Sequence, residues 1–226
     1  MQKKDEIFVA VIGDIVSSKK IQNRSHVQEK FKIILNNINE TYKDDIASNF
    51  MITLGDEFQG LLNEGKNAIK IVSDIEIKMM PQKLRFGIGI GGITTTINPD
   101  YPLGADGPAY YNARNMIEEL KKKENQYKEN FSNIMISIDP KVTKHPNDFM
   151  LLNSLLSLCS LVKSQWTLRQ IEIINSYLNN DENQYKTADK LEVVQSTVNR
   201  SLIKSNFYSY KKAIESISLY LSEEVF

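Results

Sequence analysis

The sequence predicts an α+β fold, in which a sheet-containing N-terminal domain is followed by an all-helical C-terminal domain. All ten glycines lie between Gly13 and Gly107, and all six prolines lie between Pro81 and Pro146. Turns that depend on glycine are therefore confined to the first half, while the last third has the pattern of uninterrupted helices. In the first half, strand-like and helix-like patterns alternate. We place the two domains at residues 1–143 and 144–226.

The composition is that of a globular protein. Hydrophobic residues make up 41% and charged residues 25% of the 226 residues, and 28 Lys and Arg balance 28 Asp and Glu. No apolar run approaches the roughly 18 residues that a membrane span needs. Cys159 is the only cysteine, which excludes an internal disulfide framework and predicts a cytoplasmic protein. Because there are only two histidines, any metal site is expected to use oxygen ligands.

The first elements of the N-terminal domain are a strand, a helix and a hairpin. Residues 7–12 form a short apolar run, which is typical of a buried central strand. Ser25 and Gln28 have the spacing of a capping box and precede apolar side chains at helical intervals. Residues 50–54 and 58–62 have strand patterns on either side of a Gly-Asp-Glu turn, which predicts a β-hairpin.

A helix over residues 67–80 is followed by a strand over 84–91, whose apolar residues alternate with Arg85 and three glycines. One face of this strand thus largely lacks side chains. Either a helix packs tightly against this face or a nucleotide lies against it. Pro108 opens a helix to about residue 123, and residues 134–138 form the last strand. Lys121, Lys122 and Lys123 are expected to be a solvated helix end. This order predicts a ferredoxin-like or palm-type sheet, built on a βαββαβ core, with its helices on one face.

Two acidic positions carry chemical information. Asp14 follows the first strand, and Asp56-Glu57 lie at the tip of the hairpin. In a βαββ arrangement these positions are adjacent, and converging carboxylates suit Mg²⁺ and the phosphates it binds. The alternative is structural, because Asp and Gly favour hairpin turns and Asp14 can cap the turn that follows it.

Four motifs support a family resemblance. VIGDIVSS (residues 11–18) resembles the first metal-binding strand of class III nucleotidyl cyclases. LGDEF (54–58) resembles their second metal-binding hairpin and differs by one residue from the GGDEF signature of diguanylate cyclases. RFGIGIG (85–91) resembles the next cyclase strand, and GPAYYNAR (107–114) the helix with the catalytic Asn and Arg. Together they most closely resemble the SatD family, cyclase-like domains with a C-terminal helical segment.

The resemblance implies roles for individual residues. Asp14 and Asp56 would bind Mg²⁺ or Mn²⁺ together with the Ile15 carbonyl, and Glu57 would be a secondary ligand. Arg114 would be the catalytic arginine. The residues implied at the nucleotide are Ser17, Ser18, Lys19 (or Lys20), Gly55 and Gly89.

The sequence also departs from the cyclase pattern. Cyclases place their transition-state Asn four residues before the Arg, where this chain has Tyr110. Asn112 is only two residues before Arg114, and therefore points elsewhere on a helix. Leu54 replaces the first Gly of GGDEF. We therefore expect this chain to retain metal and phosphate binding rather than cyclisation.

The C-terminal domain contains a pattern that resembles a helix-turn-helix, within about residues 166–205. Ala188 and Leu191 suit the first helix, Val198 and Leu202 the second, and Glu192 stands where the turn usually has Gly. The alternative is a helical dimerisation or lid domain with a polar face. The residues expected to contact DNA are Gln195, Ser196, Thr197, Asn199, Arg200 and Lys204.

Three functions are compatible with these patterns. The leading hypothesis is a cytoplasmic, homodimeric regulator, whose palm binds a nucleoside triphosphate with Mg²⁺ and whose helix-turn-helix binds DNA. The alternative is an active nucleotidyl cyclase or nucleotidyltransferase, in which the tail serves dimerisation or control and a partner subunit supplies the missing Asn. A third is a non-catalytic interaction protein that keeps the palm as a scaffold.

Overall fold

The computed structural model describes residues 6–127, 132–143, 145 and 147–224. The N-terminal part confirms the predicted alternation of strands and helices. Its elements are β1 (Phe8–Ile15), α1 (Arg24–Thr41), β2 (Ile46–Leu54), β3 (Glu57–Leu62), α2 (Ala68–Met79), β4 (Leu84–Gly91), α3 (Pro108–Tyr127) and β5 (Ile134–Ile138).

The five strands form one sheet in the order β2-β3-β1-β4-β5. The strand β1 is central and pairs antiparallel with both β3 and β4, while β5 joins β4 in parallel. A central strand is covered on both faces, which explains why the sequence of β1 is apolar at nearly every position. The predicted α+β fold is confirmed.

The helices lie on both faces of the sheet, rather than on the one face that we predicted. Val9 and Val11 of β1 belong to the core shared with α1 and α2, whereas Ala10 and Ile12 pack against α3 on the opposite face. Alternate side chains of a strand point to opposite faces, so a strand that is apolar at both sets of positions needs a cover on each.

The glycine-faced strand is explained by helix packing. The glycines of β4 lie directly beneath α3, and a Cβ atom at Gly89 would stand 2.0 Å from the carbonyl oxygen of Ala109. The backbones of α3 and β4 approach so closely that no side chain fits between them. Gly89 thus lies in a helix–sheet contact.

The predicted capping box at Ser25 is wrong. The helix α1 begins at Arg24, and its N-cap residue Asn23 makes no side-chain capping hydrogen bond. The side chain of Gln28 instead donates to the carbonyl oxygen of Gly55 in the hairpin turn, at 2.7 Å. A tertiary partner has replaced the local one.

The described residues of the C-terminal part form five helices, α4 (Asp148–Ser164), α5 (Leu168–Asn179), α6 (Gln184–Lys190), α7 (Gln195–Lys204) and α8 (Phe207–Glu224). The helix α4 packs against β5, and α8 packs against α2. One hydrophobic cluster runs from the sheet into these helices. Cys159 lies within it, and burial raises the pKa of its thiol, as suits a core residue.

The domain boundary at residue 143 stays a prediction, since residue 144 lies outside the described part of the chain. Side chains link the two parts directly. The Asn175 amide donates to the Ile77 carbonyl at 3.0 Å, and the hydroxyls of Ser73 and Tyr210 are 2.7 Å apart. Among the described residues, no helix is long and apolar enough to span a membrane.

Candidate functional site

Asp14 is the centre of a charged cluster at the end of β1. It lies opposite Glu57 on β3 and Arg85 on β4. Asp14 is only 6% exposed, and Arg85 Nε donates to its Oδ1 at 2.9 Å. Lys121 Nζ of α3 lies 2.9 Å from its Oδ2, so the carboxylate is held between two cations. Arg85 also pairs with Glu124 at 2.9 Å.

The hairpin turn docks onto the end of β1. Gly55 has a φ of 64°, a left-handed conformation that glycine adopts without strain. The Ile15 amide donates to the Asp56 carbonyl at 3.2 Å, and the Ser18 hydroxyl donates to the Asp56 carboxylate. These contacts place the Asp56 turn beside the Asp14-Ile15 segment.

The chain after β1 makes a tight turn next to Asp56. Ser17 has a φ of 55°, and residues Ser18–Lys20 form a short 3₁₀ helix in which the Lys20 amide donates to the Ser17 carbonyl at 2.8 Å. A non-glycine residue in the left-handed region is uncommon, and such residues often lie at ligand sites. Lys19 and Lys20 are both exposed on this turn.

The potential ligand atoms at this site are of the chemical type that Mg²⁺ prefers. Two carboxylates, from Asp14 and Asp56, and the Ile15 carbonyl lie on adjoining segments and supply only oxygen. No group of three or more Asp, Glu, His or Cys residues suited to a metal occurs in the described structure. A metal ion at Asp14 would have to displace Lys121. The Lys121 side chain is 45% exposed and can therefore swing into solvent.

Lys121 and Arg85 are site residues that the sequence patterns did not predict. Lys121 was expected to be solvated, yet it pairs with Asp14. Arg85 had a detectable signal, because it is the one charged residue on the otherwise glycine-lined face of β4.

Arg114 lies elsewhere on α3. It forms an ion pair with Asp106 at 3.1 Å, and it is about 10 Å along the helix axis from Lys121. Hydrogen bonds from the Tyr111 hydroxyl and the Arg114 guanidinium lower the pKa of Asp106. Within one chain, the structure does not bring Arg114 together with Asp14 and Asp56.

Tyr110, at the position of the cyclase transition-state asparagine, and the nearby Asn112 both have structural roles. Tyr110 is fully buried between α3 and the sheet, and burial raises the pKa of its hydroxyl. Asn112 donates to the Ile90 carbonyl at 3.1 Å and so ties α3 to β4. Neither side chain is directed towards Asp14.

The helices α6 and α7 are joined by residues 191–194, and Glu192 in that connection has a φ of 53°. Their buried side chains are Thr187, Ala188, Val198 and Leu202. Of the six residues expected at DNA, the exposed ones are Ser196, Arg200 and Lys204, while Gln195, Thr197 and Asn199 are half-buried. The side chains of Gln195 and Asn199 hydrogen-bond to Gln184 of α6.

Comparisons with solved structures give distant likenesses to cyclases. A bacterial light-regulated adenylyl cyclase is 14% identical, with a TM-score of 0.40 over 60% of this chain and 77% of that one. The adenylyl cyclase CyaB from P. aeruginosa is 12% identical, with a TM-score of 0.39 over 52% and 74%. The guanylate cyclase domain of RhGC from Catenaria anguillulae, in complex with GTP, is 17% identical, with a TM-score of 0.37 over 51% and 74%.

These likenesses are too distant to show what this chain binds or catalyses. A comparison with curated proteins found no match. The model of the SatD family matches residues 8–218, which is nearly the whole sequence. The order of motifs, the strand and helix order and this match agree, and the chain belongs to the SatD family.

Proposed function

We propose that this protein is a cytoplasmic regulator in which the N-terminal domain binds a nucleoside triphosphate with Mg²⁺ and the helical domain binds DNA. The observation that carries the nucleotide part is the docking of the Asp56 turn onto the end of β1. The Ile15–Asp56 and Ser18–Asp56 hydrogen bonds assemble two acidic segments and a lysine-bearing turn at one edge of the sheet.

Each residue has a proposed task at this edge. Asp14, Asp56 and the Ile15 carbonyl would hold the ion, with Glu57 as a secondary ligand. Bound there, Mg²⁺ (or Mn²⁺) would neutralise phosphate oxygens. The turn at Ser17 and Ser18 would bind the phosphates, helped by Lys19 or Lys20, and Gly55 would keep the hairpin tip close to the nucleotide.

Binding without cyclisation is the better supported activity. The side chain at position 110 is part of the core, and Asn112 is engaged with the backbone of β4. Arg114 is paired with Asp106. These three arrangements leave α3 without a free asparagine–arginine pair for a transition state within one chain.

Calorimetric titration of ATP and GTP with Mg²⁺ tests the nucleotide site. We expect saturable binding to the wild-type protein and at least about tenfold weaker binding to Asp56→Asn, since a ligand charge is lost. Asp44→Asn, an exposed acid outside the site, is the matched control and should bind as the wild type does. Absence of saturable heat, or equal affinity of Asp56→Asn, would reject the site.

Titration with Mn²⁺ alone tests separately whether the site at Asp14 binds a metal ion. In Lys121→Met the positive charge 2.9 Å from Asp14 is gone, so we expect Mn²⁺ to bind several-fold more tightly. If Asp14 serves only its ion pairs, Mn²⁺ affinity will not change.

The DNA part rests on the α6–α7 arrangement and its charge. Arg200 and Lys204 are exposed on one side of α7, and residues 195–213 contain four cations and no acid. One of those cations, Lys211, is paired with Glu182 and Glu215. Fluorescence polarisation with duplex DNA at low salt should show binding that weakens several-fold in Arg200→Ala. Arg169→Ala on α5 is the control, and lack of affinity with and without nucleotide would reject this part.

We further propose that the protein is a homodimer. One face of α4 packs on β5, but its other face exposes large apolar side chains at Met150, Leu151, Leu158 and Leu161. An apolar surface of this kind is typical of a contact with another protein. A monomeric mass at high concentration in sedimentation analysis would contradict the dimer.

A further inference from the structure

A large cleft lies between the N-terminal domain and the helices α4 and α5. Its volume is about 870 Å³, within the range of small-molecule sites. One wall is formed by the turn after β1 and by the start of β4, which includes Arg85. The opposite wall is formed by the end of α4 and the start of α5. The cleft therefore begins where the proposed phosphate turn lies and extends to the helical domain.

The inner end of the cleft is a buried polar network. Lys163 of α4 forms an ion pair with Glu76 of α2, and both residues are nearly inaccessible. The Asn133 amide donates to Glu76 at 2.6 Å, and the Ser160 hydroxyl donates to Asn133 at 2.7 Å. Such a network holds its members in one geometry, so it fixes α4 relative to α2 and keeps the inner wall of the cleft in place.

The two ends of the cleft differ in chemistry. Near the sheet it is lined by the basic residues Lys20 and Lys83, and by Arg85, which is paired with Asp14 and Glu124. Towards the helices its lining is apolar and includes Trp166, Leu168 and Ile171. The acids in the lining, Glu76 and Glu124, are neutralised by Lys163 and Arg85. A ligand with an anionic end and a flat, largely apolar end matches this division.

We propose that the cleft binds the nucleobase of the nucleotide whose phosphates lie at the turn Ser17–Lys20. This inference rests on the proposed function and adds the location of the base. Lys20, which lines the cleft, then contacts the phosphates, and the base packs against the apolar wall beside Trp166. A nucleotide in the cleft would touch both domains, since each forms one wall. The helix α5 also packs against α6 and α7, so the nucleotide would connect the sheet to the proposed DNA-binding helices.

Trp166 is the only tryptophan of the chain, and it lines the cleft although only 7% of it is exposed. We expect ATP or GTP with Mg²⁺ to change its emission with the same dissociation constant that calorimetry gives. Inorganic triphosphate has no base, and it should bind without changing the emission. Leu168→Glu places a carboxylate in the cleft at a side chain that is 69% exposed, and should weaken nucleotide binding about tenfold.

Ile33→Glu is the matched control, because Ile33 is 54% exposed on α1 and is not among the described residues that line the cleft. Calorimetric binding with unchanged Trp166 emission and wild-type affinity of Leu168→Glu would overturn the cleft assignment, and would leave the metal–phosphate site standing. An equal response of Trp166 to inorganic triphosphate would overturn the placement of the base. Failure of every nucleotide to bind would overturn both proposals.

Discussion

Gly89→Ala is expected to destabilise the protein by about 3 kcal/mol or more, through overpacking between β4 and α3. The new Cβ atom would lie 2.0 Å from the Ala109 carbonyl oxygen and 2.4 Å from the Ala113 amide nitrogen. Both are backbone atoms of α3, which cannot rotate away as a side-chain tip can. The whole helix would have to move off the sheet, and with it Lys121, which pairs with Asp14.

The measurement is the free energy of unfolding from urea denaturation. Gly92→Ala is the matched control, since no described heavy atom lies within 4 Å of the Cβ position there. That variant should stay within about 1 kcal/mol of the wild type, with any gain coming from the less flexible unfolded chain. Equal unfolding midpoints for the two variants would show that α3 yields more easily than the backbone contacts indicate.

Lys163→Met is expected to cost about 3–5 kcal/mol, because it leaves the Glu76 carboxylate buried without its counter-ion. Asn133 would still donate to that carboxylate, but a neutral amide compensates only part of a buried charge. The residue also joins α4 to α2, so the loss should appear as loosening of the junction between the two parts of the chain. Urea denaturation measures the total cost, and hydrogen exchange of α4 locates it.

Lys186→Met provides the comparison. Lys186 and Asp181 form an ion pair whose side chains are 57% and 81% exposed, and exposed pairs contribute little. We expect a change below about 1 kcal/mol there. The double variant Lys163→Met, Glu76→Gln should lose less than the sum of its single variants, because the unpaired charge is gone. A cost for Lys163→Met as small as that for Lys186→Met would mean that Glu76 is reached by water.

Much of the fold could be predicted from local patterns. The order of strands and helices and the hairpin around Gly55-Asp56 were expected, and the structure has them. Burial periodicity and turn chemistry depend on neighbouring residues in the chain, so they can be read without knowing the tertiary structure. The SatD resemblance rested on the same short motifs and is confirmed.

Contacts between distant residues could not be predicted in the same way. The capping box of Ser25 and Gln28 was wrong because the hairpin turn supplied Gln28 with another partner. Lys121 was expected in solvent, and it lies on Asp14 because α3 crosses the far face of the sheet. The same crossing decided that glycines of β4 lie under a helix.

The local patterns of this chain thus determine its elements and the positions of Asp14 and Asp56 at the end of β1 and the hairpin tip. Tertiary packing decides which charges reach those acids, where Arg114 lies and where a cleft opens. The physical reason is the distance along the chain over which each kind of interaction acts. Backbone hydrogen bonding and side-chain periodicity act within a few residues, whereas an ion pair such as Lys121–Asp14 exists only after two distant segments have been packed together.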